Sequence, residues 1–190
     1  MPIVAILDAN VLFSARIRDL MVRLALAGLF QARWTDRILD ECFDAILESR
    51  PDLTRDALAR TRELLSRAVP DVLVEGYESQ EAGLELPDPK DRHVLAATMK
   101  AGASVIVTAN TRDFPEAALA KVGVAAIHPD DFLLRLLGAD AEAVQDVLVD
   151  QAAALRKPAT TVEQLLDGLA GAGLPRSVAA IRALPGADHH

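Results

Sequence analysis

The stretch "PIVAILDANVLFS", residues 2–14, sets both the first strand of the chain and its first chemical problem. "PIVAIL" is apolar and partly β-branched, as a strand buried on both faces of a sheet must be, and it runs directly into Asp8. A buried carboxylate without a partner costs several kcal/mol, so Asp8 must meet a cation, a metal or water, and the end of a strand is where it can. Asn10 and Ser14 follow within one short segment. Taken alone they are turn and capping residues, since short polar side chains after a strand bond to local backbone.

Similar runs recur at 71–76 ("DVLVEG"), 104–109 ("SVIVTA") and 124–129 ("VAAIHP"), with a weaker one at 30–34 ("FQARW"). Helical spacing fills the intervals at 19–29, 36–49, 54–69, 91–102 and 116–123. Thr35 and Thr54 are placed as N-caps, Gly28 and Gly102 near C-terminal ends, and Pro51 and Pro70 as stops. The alternation predicts an α/β fold with a central parallel sheet of four to five strands flanked by helices. After about residue 129 strand signals cease, so the chain divides into an α/β domain over 1–136 and a C-terminal helical extension over 137–190. The terminal pair His189 and His190 makes no metal site by itself.

A chain of 190 residues that is 51% hydrophobic and 25% charged can build one sizeable core, which excludes a disordered class. The single cysteine, Cys42, has no disulfide or zinc partner and reads as a small buried hydrophobe. No apolar stretch reaches the length of a membrane span and no signal-like start is present, so a cytoplasmic protein without membrane association is expected. A net charge of −8 opposes an extended basic face for nucleic acid, unless metal ions and a local basic patch carry the phosphate contacts.

In an open α/β sheet, ligands bind beyond the carboxyl ends of the strands. Asp8 has that position, and so do Asn110 and Asp113, which follow "SVIVT" in "TANTRDFP" (108–115). Asp91 opens a helix and by itself would be its cap; Asp88 in "PDPK" suits a turn; Glu41 lies on the border of an apolar helix face and alone would be a solvated glutamate. Together the acids repel one another, and a divalent cation is the usual way to keep them ionised. Hard oxygen donors select Mg2+ or Mn2+ over zinc, and such an ion suits phosphodiester cleavage.

"LDANVLFS", the glutamate of "ILDECF", "DPKDRHVLAAT" and "VIVTANTRDFP" resemble, in order, the acidic motifs of the PIN-domain ribonucleases, and the chain is similar to the VapC-type toxins of bacterial toxin–antitoxin pairs, in a longer subgroup with C-terminal helices. The resemblance covers residues 2–135 for the nuclease part. It implies a metal-dependent endoribonuclease in which Asp8 and Asp91 are the principal metal ligands, Asp113 a further ligand or water-positioning carboxylate, and Glu41 the acid that completes the site. It also implies a homodimer and an antitoxin whose segment covers the acidic cleft. Asn10, Ser14, Asp88, Thr108 and Asn110 are accessory positions. Asn110 departs from the pattern, since many PIN domains carry an aspartate there; it can orient a water but adds no charge.

The charge objection has a local answer, because Arg16, Arg18, Lys90, Arg92 and Arg112 flank the acidic motifs and could form a basic rim for RNA phosphates. His93 is expected to be structural, and Trp34 and Phe13 to be core. Two other functions compete. A phosphatase of the haloacid dehalogenase type also starts with an Asp after an apolar strand, but its second aspartate would be Asn10, which cannot act as an acid or base. A metal-stabilised binding module without catalysis is the other.

Overall fold

The computed structural model describes residues 2–184, so His189 and His190 lie outside the described residues. Four strands, β1 (Ile3–Leu7), β2 (Phe30–Arg33), β3 (Val105–Val107) and β4 (Ala125–Ile127), pair in parallel in the order β2-β1-β3-β4. The helices are α1 (Ala9–Phe13), α2 (Ala15–Leu26), α3 (Asp36–Ser49), α4 (Arg55–Ala68), α5 (Glu78–Glu81), α6 (Arg92–Lys100), α7 (Glu116–Leu119), α8 (Pro129–Ala139), α9 (Ala141–Ala154), α10 (Val162–Gly171) and α11 (Pro175–Arg182). None of the described helices is long and apolar enough to cross a membrane. With β2 on one side of β1 and β3 on the other, the winding reverses between β1 and β3, and the crevice beyond their carboxyl ends is the topological switch point.

Local chemistry places most boundaries. The Thr35 hydroxyl accepts the Ile38 N–H at 3.0 Å and the Thr54 hydroxyl accepts the Ala57 N–H at 3.2 Å, satisfying donors that α3 and α4 would otherwise leave open. Gly28 and Gly102 end α2 and α6 with φ of 80° and 61°, the left-handed region that favours glycine. Ser14 caps α2, accepting from the Ile17 N–H at 3.4 Å.

The strand expected at 71–76 is reduced to one bridge. Trp34 donates its N–H to the Val72 carbonyl at 3.0 Å and accepts from the Val74 N–H at 2.9 Å, and pairing goes no further because β2 ends at Arg33. Val72 and Val74 still point inward while Leu73 and Glu75 face out, which explains the strand-like pattern. The sheet therefore has four strands.

One hydrophobic cluster joins the sheet to the C-terminal helices. Phe30 on β2 meets Phe132 on α8 edge to face, with ring centroids 5.0 Å apart. Gln151 on α9 donates its side-chain N–H to the Arg16 carbonyl at 3.0 Å, fastening the segment to α2. The expected boundary at 136/137 falls inside α8. Asp130, almost fully buried, accepts the Arg176 and Ser177 N–H groups at 3.0 and 2.8 Å and the Ser177 hydroxyl, so it caps α11 from a distant helix. Asp130→Ala removes this cap and is expected to cost about 2 kcal/mol. Denaturant unfolding followed by the fluorescence of Trp34, far away at the sheet, should shift with it; an unmoved Trp34 transition would mean that the C-terminal helices unfold separately.

Candidate active site

Asp8 stands where β1 ends, and only 7% of its surface is exposed. Its backbone N–H still belongs to the sheet, donating to the Val107 carbonyl at 3.1 Å. One carboxylate oxygen accepts the Ala9 N–H at 2.8 Å, so Asp8 caps α1; the other accepts the Thr108 hydroxyl at 2.7 Å and the Asn10 side-chain N–H at 2.6 Å. Asn10 reaches on to Thr108 at 3.0 Å and accepts the Ala109 N–H at 2.9 Å, while the Thr108 oxygen accepts the Asn110 N–H at 3.1 Å. The partners of the buried carboxylate are thus a hydroxyl, an amide and a backbone N–H, with no basic side chain bonded to it. Burial pushes its carboxyl above the ordinary value despite the Thr108 and Ala9 hydrogen bonds.

Asp8, Glu41 and Asp91 line one open cleft of about 390 Å3, together with Asn10, Phe13 and Asn110. Asp91 does not cap α6. The cap of the short turn before that helix is Asp88, which accepts the Lys90 N–H at 2.9 Å, and the Asp91 side chain is left for the cleft. Burial, and then the charges of Asp8, Asp113 and Asp88, push the Asp91 carboxyl up to about 6. Asp113, half-buried in the turn Thr111–Asp113, does not line the cleft but is near enough to act on Asp91 by its charge.

Glu41 faces the cleft from α3. Its Oε1 lies 3.1 Å from His93 Nε2 and 3.5 Å from Arg37 Nε, and Arg37 also pairs with Glu81 at 3.3 Å. Burial works to raise its carboxyl, but the His93 contact and charge, with Arg37, outweigh this and hold it below the ordinary value. His93 is 1% exposed and its Nδ1 has no partner. It is therefore structural in a particular sense, holding Glu41 at the cleft. The sequence signal was its place two residues after Asp91 on the first turn of α6.

Among the described residues no three His, Cys, Asp or Glu side chains converge tightly enough to hold an ion as they stand. The donor chemistry nonetheless fits one: the side chains are hard carboxylates, and the burial and neighbouring negative charges that raise the Asp91 carboxyl are what a divalent cation would offset. The basic residues do not form a single rim. Lys90 and Arg112 are exposed, Arg112 beside a separate hollow under α7; Arg92 is half-buried with its Nε unpartnered; Arg16, Arg18 and Ser14 face another cavity at the end of α1. Trp34 is core as expected, but Phe13 is not: it is 42% exposed, while Val11 and Leu12 of the same helix turn inward.

A fully parallel sheet with carboxylates gathered at its switch point defines the class, and comparison with known proteins agrees. A family model described as PIN domain matches residues 4–112, and the chain belongs to that family. A model described as VapC50 C-terminal domain matches residues 129–183, so the chain is of the longer VapC kind with a C-terminal extension. The chain is 44% identical over 95 residues to "Putative ribonuclease VapC50" of Mycobacterium tuberculosis (strain ATCC 25618 / H37Rv); the match covers 50% of this chain and 56% of that protein, so it spans about half the length of the relative. No solved structure matches the chain.

Because the folded Asp91 carboxyl titrates near 6 rather than 3.8, the native state holds its proton more tightly, and stability falls as pH rises through that window, with the loss complete above it. In metal-free protein at pH 7.5, Asp91→Asn is expected to raise the melting temperature by about 2–4 °C, the response of a domain this size to about 1 kcal/mol. The gain should vanish by pH 4. A constant gain across that range would place the repulsion elsewhere.

Proposed function

We propose that this protein is a divalent-metal-dependent endoribonuclease, the toxin of a toxin–antitoxin pair. The observation that carries this reading is the Asp91 carboxyl, which makes no capping bond to its own helix and opens with Asp8 and Glu41 onto one cleft at the switch point of a PIN-domain sheet. Asp8, Asp91, Asp113 and Glu41 would hold Mg2+ or Mn2+, which supplies an activated water and steadies the leaving oxygen.

The remaining roles belong to the chain itself. Thr108 and Asn10 fix the rotamer of Asp8 by occupying one carboxylate oxygen, and His93 and Arg37 hold Glu41 ionised toward the cleft. Asp88 shapes the turn that presents Asp91. Asn110 lines the cleft and offers an amide to a water without adding charge. Lys90, Arg92 and Arg112 would meet RNA phosphates around the acids, with Arg16 and Arg18 past the end of α1. The acids all fall within residues 1–136, and the extension over 137–190 serves as their support. By family likeness the protein acts in the cytoplasm as a homodimer, restrained by an antitoxin segment laid over the acidic cleft. The phosphatase alternative is disfavoured by Asn10, whose amide is committed to Asp8, Thr108 and Ala109.

Metal-free protein replenished with Mg2+ or Mn2+ is expected to cut total cellular RNA internally, Asp8→Asn and Asp91→Asn to abolish cutting, and Thr108→Val to reduce it about 10- to 100-fold, as loss of a carboxylate's outer partner does. RNA left intact by wild type with both metals overturns the nuclease reading, and phosphate release from a small phosphoester under those conditions would select the phosphatase. Either metal should also raise the melting temperature of wild type but not of Asp8→Asn, because only the native acids bind it; equal shifts would move the ion to another place.

A further inference from the structure

Phe13, the last residue of α1, lines two cavities. One is the acidic cleft. The other is a hollow of about 590 Å3 edged by Ser14, Arg16, Arg18, Ser49 and Arg50, with an apolar floor that includes Ile46. Arg50 is neutralised by Asp52, which accepts from it at 2.6 and 2.8 Å. Arg16 and Arg18 have no carboxylate partner among the described residues. Arg18 is anchored by donating to the Leu12 carbonyl at 2.5 Å, and burial holds its guanidinium below the ordinary value, against the pull of Cys42 and Asp19. In a chain of net charge −8, two arginines in one hollow without an ion pair among the described residues suit an anion.

Arg16 is held from the far side by the C-terminal segment. A Cβ at Gly168, in the interior of α10, would lie 2.7 Å from Arg16 Nε and 2.9 Å from its Cδ. Glycine disfavours a helix interior, so its presence there has a packing reason: it lets the arginine stem lie against the helix. The Gln151 bond to the Arg16 carbonyl fixes the backbone of the same residue.

We propose that the hollow at the end of α1 is a subsite for single-stranded RNA, in which a base flanking the cut stacks on Phe13 while the adjoining phosphate is taken by Arg16 and Arg18. It rests on the nuclease reading, and it assigns α10 a part in substrate binding. Helix α1 has five residues, about 7.5 Å of rise, so Phe13 stands within about two stacked nucleotides of Asp8. A duplex cannot offer an unstacked base to Phe13, so the subsite favours unpaired RNA. The hollow suits RNA better than a cationic peptide, whose charge belongs with the acids of the other cavity.

The test is fluorescence anisotropy of a labelled ten-nucleotide RNA of mixed sequence, single-stranded or annealed to its complement, with the full chain in EDTA so that binding is read apart from cleavage. Phe13→Ala should weaken single-strand binding about 5- to 100-fold and leave duplex binding unchanged, whereas Phe13→Trp, which keeps a stacking surface, should bind within about 2-fold of wild type. Arg16→Ala should weaken binding and flatten its salt dependence, and Gly168→Ala, by displacing the arginine stem, should do the same in part. Equal single-strand affinity of Phe13→Ala and wild type, in a protein that still cuts total RNA, overturns the subsite while the nuclease reading stands, and leaves the hollow to a protein partner. Wild type that neither binds nor cuts RNA overturns both.

Discussion

The Thr108 hydroxyl bonded to the Asp8 carboxylate is the contact on which the rest of the molecule depends. It joins residues one hundred positions apart, each the first after its strand, where the winding of the parallel sheet reverses. Asn10 completes the clasp by bonding to Asp8, Thr108 and the Ala109 N–H, so the ends of β1 and β3 are sewn together by side chains just where backbone pairing stops. Such a network in a site of low dielectric is stiff when every member is satisfied. One carboxylate oxygen of Asp8 is spent on holding the two chain segments, and α1 begins from the other.

Around that clasp the carboxylates sit under mutual repulsion, relieved unevenly. Glu41 is pulled toward ionisation by His93 and Arg37, while Asp91 has no ion pair among the described residues and bears burial and three neighbouring carboxylates, which outweigh the charge of His93. The two acids therefore titrate in opposite directions across one cleft of about 390 Å3. Groups pushed apart in this way are characteristic of sites that handle charge rather than of surfaces merely solvated. An acidic chain can accordingly serve an anionic substrate, provided a cation mediates in the cleft and arginines are exposed beside it.

The C-terminal helices contribute none of the cleft acids, yet they decide where α2 lies. Phe132 packs on Phe30, Gln151 binds the Arg16 carbonyl and Gly168 leaves room for the Arg16 stem. The buried Asp130 caps α11 and keeps the segment closed on itself. A helical extension thereby borders the arginine hollow, Ala172 lining it and Gly168 lying against the Arg16 stem.

The residues that follow local rules were legible from the chain alone. Short apolar, partly β-branched runs located β1 and β3, period-3.6 patterns α3 and the C-terminal helices, and Thr35 and Thr54 marked their helix starts. The strand-end addresses of Asp8 and Asn110 pointed to one crevice, which Asp113, given the same address, does not line. Such signals depend on a few neighbouring residues and on the chirality of parallel sheets. What depended on distant partners was not legible. The segment 71–76 has the apolar run of a strand but only one bridge, since β2 ends too soon to pair with it; Asp91 has the position of a cap, but its side chain makes no capping bond; Phe13 has the composition of core but is 42% exposed; and His93 gains its role only where α3 brings Glu41 to within 3.1 Å. By itself the sequence determined the order of elements and the acids at the strand ends, while the tertiary structure alone decided which of those acids meet and which side chains hold them, because burial and charge act between residues that the chain separates by tens of positions.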